Sequence, residues 1–308
     1  MSLAFIFPGQ GSQAVGMLVD FNDNSIITET FQQASESLGY DMWQLVQDGP
    51  AEQLNKTEFT QPALLTASIA LWRLWCSESD VRPSYLAGHS LGEYSALVAA
   101  GVVSLADAVK LVEARGQFMQ QSVPSGTGKM AAIIGLEDEL IAQACQQAAE
   151  EQVVSPVNFN SPGQVVIAGN AEAVERAMVL CKEKGAKRAL PLPVSVPSHC
   201  ALMAPAADQL QKRLQTIDFV APQIDIINNV DVAIEQSSDA IKSALVRQLY
   251  SPVRWTETVQ KMAAEGVDKL VECGPGNVLS GLNKRISKEL TSLAINTPEK
   301  MASTKQSI

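Results

Sequence analysis

The chain has 308 residues, 46% of them apolar and 18% charged, and its 33 acidic against 23 basic residues leave a net charge of −10 at pH 7. A chain of this size and apolarity buries a large core, as one large domain or two unequal ones. The acidic excess argues against a surface that neutralises phosphodiester backbones, so no nucleic acid is expected as partner. The five cysteines are odd in number and make no Cys-x-x-Cys pair, which reads as reduced thiols and offers no metal site.

The all-apolar run 3–7 suits a buried central strand. No basic region precedes it, it is too short for a signal peptide, and nothing else in the chain approaches a membrane span of roughly 20 apolar residues. These features predict a cytoplasmic protein with no membrane partner. The strand runs into Pro8-Gly9-Gln10-Gly11-Ser12-Gln13. Gly9, Gly11 and Ala14 match the loose dinucleotide pattern, but residues 20–24 read as loop where a second strand ending in an acid should follow, so no nucleotide cofactor is expected. The turn still aims backbone N–H groups at one point.

Residues 28–38 and 61–78 read as scaffold helices. Residues 84–87 form a short apolar stretch that turns abruptly at Gly88-His89-Ser90-Leu91-Gly92-Glu93 into a helix over 93–100. A serine between two glycines at a strand-to-helix turn is a nucleophile elbow, because the missing Cβ atoms permit the close approach that leaves the Ser90 hydroxyl exposed. The Leu91 N–H, at the helix start, is then half of an oxyanion hole. Ser104-Leu105-Ala106-Asp107 resembles a capping box opening a helix to about residue 121. At 100° per residue, Ala108, Leu111, Val112, Phe118 and Met119 share one arc, and Arg115 falls in its centre. A buried guanidinium needs a partner, either a protein carboxylate or the carboxylate of a ligand.

Beyond the break at 124–128, the pattern over 130–192 is strand, helix, strand, strand, helix, strand, which is a ferredoxin-like unit. It closes on a proline-rich return at 190–197 and reads as a small domain, 125–196, inserted in a larger one made of 1–124 and 197–308. The large part continues with a helix to about 214, a strand at 224–228, helices at 238–248 and 253–265, a strand at 270–272 and a last helix after Cys273-Gly274-Pro275-Gly276. The fold class is therefore α/β, an α/β-hydrolase-like domain with a parallel sheet core plus the inserted ferredoxin-like subdomain. Residues from about Asn296 onward read as a frayed tail.

Ser90 needs a base, and the chain holds only two histidines. His89 should point away from its neighbour at the elbow, so His199 is the base. Cys200 is a weak rival nucleophile, with no cationic or glycine-rich frame. Asp107, Glu113 and Asp138 lie between Ser90 and His199, where a triad acid would stand, but fall in surface helices.

The motifs Phe7-Pro8-Gly9-Gln10-Gly11-Ser12-Gln13, Thr60-Gln61-Pro62-Ala63-Leu64, Gly88-His89-Ser90-Leu91-Gly92-Glu93, Arg115-Gly116, Asn160-Ser161-Pro162-Gly163-Gln164, Ser198-His199 and Glu272-Cys273-Gly274-Pro275-Gly276 together resemble those of the bacterial malonyl-CoA:acyl carrier protein transacylases. The resemblance implies ping-pong transfer of malonyl from coenzyme A to the phosphopantetheine thiol of acyl carrier protein, in fatty acid biosynthesis. It implies Ser90 as nucleophile, His199 as base and acid, the N–H groups of Gln10 and Leu91 as oxyanion hole, and Arg115 on the malonyl carboxylate with Gln61 nearby. The Gln248 carbonyl would hold the second nitrogen of His199. It implies no cofactor, malonyl-CoA being a substrate. A monomer is expected. A serine esterase or thioesterase with the same Ser-His pair is the alternative.

Overall fold

The computed structural model of the protein describes residues 2–124, 126–194 and 196–308. Nine strands are present among them: β1 (Ser2–Phe7), β2 (Tyr85–Gly88), β3 (Gly128–Ile134), β4 (Val154–Ser161), β5 (Gln164–Asn170), β6 (Arg188–Pro191), β7 (Asp225–Ile227), β8 (Val267–Glu272) and β9 (Thr291–Ala294). Five of them form one parallel sheet in the order β7-β2-β1-β8-β9. The other four form an antiparallel sheet in the order β4-β5-β3-β6, the ferredoxin-like arrangement.

The unbroken apolar run of β1 has a direct physical reading, because both faces of a parallel sheet are covered. Leu3, Phe5 and Phe7 enter a core formed with the long helix Thr57–Glu78, where Trp72 and Trp75 meet Phe5 edge-on at 5.2 and 5.1 Å. Ala4 and Ile6 enter the opposite core, with Trp255, Val259, Met262 and Leu279. In register, Phe7 stands beside Gly88, so the two turns that leave β1 and β2 emerge together at the carboxyl end of the sheet. That is where open parallel sheets place their sites.

The helices Asp138–Ala149 and Ala171–Glu183 pack on one face of the small sheet through Ile141, Ala144, Val174 and Ala177. Its other face presents Met130, Val157, Val166 and Ala168 toward Cys200. The two units are also stitched by backbone: Val253 N–H donates to Val157 O at 2.8 Å and Phe159 N–H to Val253 O at 3.0 Å.

The elements depart from the pattern in a few places. The helix expected from residue 61 begins at Thr57, so Gln61 lies inside it. The helices Met42–Asp48 and Ala51–Leu54, and strand β9, were not expected. The tail expected to fray from Asn296 is instead a helix, Pro298–Ser307. Thr297 caps it by accepting from Lys300 N–H, and Thr304 donates to Ala294 O of β9 at 3.1 Å while Met301 is buried. Its polar composition hid it, because its anchoring contacts are few and non-local. The break at 124–128 and the proline-rich return at 190–197 include Ser125 and Ser195, which lie outside the described residues.

Candidate active site

The elbow is built by close approach. A Cβ on Gly88 would lie 1.9 Å from the Gly92 carbonyl carbon, and one on Gly92 would lie 2.0 Å from Phe7 O. No side chain fits either position, so the chain reverses there and Ser90 adopts a φ of 51°, a left-handed conformation that costs a non-glycine residue of order 1 kcal/mol or more. What holds it is Asn229, whose Oδ1 accepts from Ser90 N–H at 2.7 Å while its Nδ2 donates to Gly88 O at 2.6 Å. Leu91 and Gln10, on the adjacent exits of β2 and β1, line the same cleft as Ser90.

Ser90 Oγ lies 2.8 Å from His199 Nε2, and His199 Nδ1 lies 2.7 Å from Gln248 O. A carbonyl oxygen only accepts, so Nδ1 carries the proton and Nε2 presents its lone pair to the Ser90 hydroxyl. His199 is itself held at a φ of 66°, with its N–H on Leu249 O. Burial, followed by the positive charge of Arg115, pulls its pKa down to about 3, so the free ring is neutral at physiological pH.

Arg115 is 1% exposed, on the buried arc of the helix Leu105–Ser122. The next residue, Gly116, allows that helix to approach Thr57–Glu78: a Cβ there would lie 2.7 Å from Glu58 Cα. The approach brings Arg115 Nη1 to Gln61 Oε1 at 2.8 Å. Nη2 reaches Gln248 Oε1 at 3.0 Å and Ser90 Oγ at 3.4 Å. All three acceptors are neutral, so no protein carboxylate takes up the charge through these bonds. Of the two partners open to Arg115 from its helix position, the ligand carboxylate is the one this geometry favours.

The cleft between the two units has a volume of about 110 Å³ and is lined by Arg115, Met119 and His199 on one side and Met130, Asn158 and Leu192 on the other. Ser90, His199, Arg115, Gln61 and Gln248 thus form one hydrogen-bonded set, with Gln61 buried behind Arg115 rather than facing the cleft. His89 turns the other way, its Nε2 2.8 Å from Asn160 Oδ1 on β4, which ties the elbow to the small sheet. Cys200 is buried, its thiol pushed up to about 11 by desolvation, and it is no nucleophile. Asp107 serves the cap of its own helix, Glu113 sits beside Tyr40, and Asp138 opens the helix Asp138–Ala149.

Sequence reasoning missed Asn229 and the role of Glu93. Asn229 lies in a loop after β7 with no local signal, and it reaches the elbow only because β7 pairs with β2. Glu93 was visible as part of the elbow motif but read as an ordinary helix residue. It is 3% exposed, and its Oε2 accepts from Asn229 N–H and from Gln248 Nε2, each at 2.9 Å. Burial raises its pKa to about 7.

A strained serine on an elbow with a neutral imidazole on its hydroxyl defines an acyl-transfer site of the serine type. Comparison with known proteins agrees: residues 4–299 match the model of the acyl transferase domain, and the chain belongs to that family. It is 65% identical over 300 residues to the malonyl CoA-acyl carrier protein transacylase of Escherichia coli K12, covering 97% of each chain. It is 46% identical to the protein of the same name from Bacillus subtilis 168, covering 96% of this chain and 94% of that one. Among solved structures, an acyl carrier protein S-malonyltransferase from Vibrio cholerae superposes with a TM-score of 0.97 at 64% identity, over 99% of this chain and all of that one. A malonyl-transacylase solved in complex with a type II PKS acyl-carrier protein gives 0.99 at 58% identity over the full length of both chains.

Proposed function

We propose that the protein moves a malonyl group from malonyl-CoA to the phosphopantetheine thiol of acyl carrier protein through a Ser90 ester, in fatty acid biosynthesis. The observation that carries this reading is the coexistence of the Ser90–His199 pair with a buried Arg115 that is hydrogen-bonded only to neutral acceptors and whose Nη2 lies 3.4 Å from the Ser90 hydroxyl. The hydrolytic pair alone would serve any ester, whereas the cation selects an acyl group that ends in a free acid.

In the first half-reaction Ser90 Oγ attacks the thioester carbon and its proton passes to His199 Nε2. The carbonyl oxygen becomes an oxyanion on the Gln10 and Leu91 N–H groups. As the carbon–sulfur bond breaks, the thiolate of coenzyme A leaves and takes the proton from His199, so the malonyl group is now an ester of Ser90. The second half-reaction reverses these steps with the carrier thiol: it gives its proton to His199, attacks the ester, and Ser90 recovers the proton as it leaves. Both halves balance with these residues and the two thiols, so the reading requires no cofactor. Thiolates depart with little protonation, which suits a histidine braced by the Gln248 carbonyl rather than by a carboxylate. In this reading Arg115 grips the malonyl carboxylate and Gln61 steadies Arg115.

All these groups come from one chain, which supports a monomer as the active unit. Residues 125–196 act as the small subdomain that closes the cleft over 1–124 and 197–308. No helix among the described residues is long and apolar enough to cross a membrane, in keeping with a cytoplasmic enzyme. Intact-mass measurement after mixing with malonyl-CoA should show one added malonyl group, absent in Ser90→Ala and released by carrier thiol much faster than by water. A label that persists in Ser90→Ala, or that water removes as fast as the thiol does, would overturn the reading.

A further inference from the structure

Among the described residues, two carboxyls are deeply buried in the large unit. Glu272 is accounted for by the helix Val278–Ile286, since it accepts from Leu279 N–H, Ser280 N–H and the Ser280 hydroxyl. Glu93 closes no such local contact. It lies under the elbow and meets two distant segments, Asn229 and Gln248, and no acyl-transfer step uses it.

A glutamine side chain has two nearly isosteric orientations that exchange its donor and acceptor ends. For Gln248 the surroundings allow one. Its Nε2 faces two acceptors, Glu93 Oε2 at 2.9 Å and Ser90 O at 3.1 Å, and this leaves Oε1 facing Arg115 Nη2 at 3.0 Å. The flipped amide would set an NH2 group against a guanidinium and an oxygen against two oxygens. A neutral oxygen on Arg115 orients the fork without consuming its charge. A carboxylate at the same place would compete with the substrate's own.

We propose that Glu93 is a positioning residue for malonyl recognition: by accepting from Gln248 Nε2 it fixes the Gln248 amide, and through that amide it aims Arg115 at the acyl carboxylate. The inference rests on the assignment of Arg115 to the malonyl group. Because the same Glu93 oxygen also accepts from Asn229 N–H, which belongs to the clamp on Ser90, a loss of overall rate would not by itself support it; selectivity must change.

The test is Ser90 acylation by malonyl-CoA and by acetyl-CoA, with kcat and KM measured separately, in Glu93→Leu, Glu93→Gln, Gln248→Leu, the Glu93→Leu/Gln248→Leu double variant and Arg115→Ala. Glu93→Leu and Gln248→Leu should each lower the malonyl-to-acetyl ratio of kcat/KM at least about tenfold, mainly through KM for malonyl-CoA. The double variant should fall no further than either single one, since both act along one path. Glu93→Gln should keep the ratio within about threefold, because its amide oxygen can still accept both N–H groups. Equal losses for the two acyl groups, or ratio losses that multiply in the double variant, would overturn the proposal. If Glu93→Leu does not fold, Gln248→Leu decides alone, and an unchanged ratio there overturns it. An unchanged ratio in Arg115→Ala would overturn the malonyl site itself and this proposal with it, whereas a ratio that falls in Arg115→Ala alone overturns only the role of Glu93.

Discussion

Replacing Arg115 by alanine tests the substrate assignment most directly. The guanidinium is buried, its Nη1 held by Gln61 and its Nη2 shared between Gln248 and the Ser90 hydroxyl. A malonyl group on Ser90 would place its free carboxylate within reach of that fork. In Arg115→Ala the same carboxylate enters a cleft whose other described lining residues include no lysine or arginine. Stripping the partner from a buried charge costs about 3–5 kcal/mol. At 1.36 kcal/mol per decade, malonyl transfer should fall by roughly two to nearly four orders of magnitude. Acetyl has no second carboxylate and loses none of this, so the acetyl rate should change by much less. Rapid-quench acylation with the two thioesters gives both rates, and a thermal melt of the variant checks that the fold persists. Equal losses for malonyl and acetyl would make Arg115 a structural residue and refute the reasoning.

Exposed Arg188 and Arg285, each next to an exposed lysine (Lys187 and Lys284), converge on one end of the small sheet although about a hundred positions apart in sequence, because Arg188 stands opposite Ile134, Ile134 opposite Gln164, and Arg285 donates to Gln164. On a chain of charge −10 such a patch suits an acidic carrier; Lys187→Glu with Arg188→Glu should raise the carrier KM on the order of tenfold and leave that for malonyl-CoA nearly unchanged, and an unaltered carrier KM would exclude the pair. His199→Ala should lose most acyl transfer, whereas Gln248→Ala should keep the imidazole contact, which uses backbone, and lose chiefly malonyl selectivity; comparing the variants with acetyl-CoA separates the two effects. Stability should also respond to pH in two opposite ways. His199, lowered from 6.5 to about 3, binds fewer protons folded than unfolded, so its contribution is lost as pH falls through 6.5. Glu93, raised from 4.5 to about 7, binds more protons folded than unfolded, so its contribution is lost as pH rises through 7. Urea unfolding at pH 5 and pH 7 should therefore show His199→Asn gaining about 2 kcal/mol relative to wild type on acidification and Glu93→Gln losing a similar amount, and parallel curves for either variant would contradict its buried titration.

Much of this molecule was legible before any coordinate. Wherever the information is local in sequence, the pattern carried it: the apolar run of β1, the paired glycines of the elbow, the Ser104 cap, and the strand-helix periods of the small unit are written in neighbouring residues. Composition did the rest for the base, since two histidines leave little choice once Ser90 is the nucleophile. Arg115 was marked by its place on an apolar helix face, although that place alone could not tell a protein acid from a ligand.

What tertiary structure alone decided are the contacts that join distant segments through polar groups. Asn229 reaches Ser90 across 139 positions and Gln248 reaches Glu93 across 155, and no periodicity announces either contact. The final helix escaped notice for the same reason, since it is held by a few buried residues against β9 rather than by an apolar stripe of its own. Apolar patterning records which face of an element is buried, because burial is non-directional and repeats with the element. A hydrogen bond needs one donor and one acceptor at one distance, and only the folded chain brings them there.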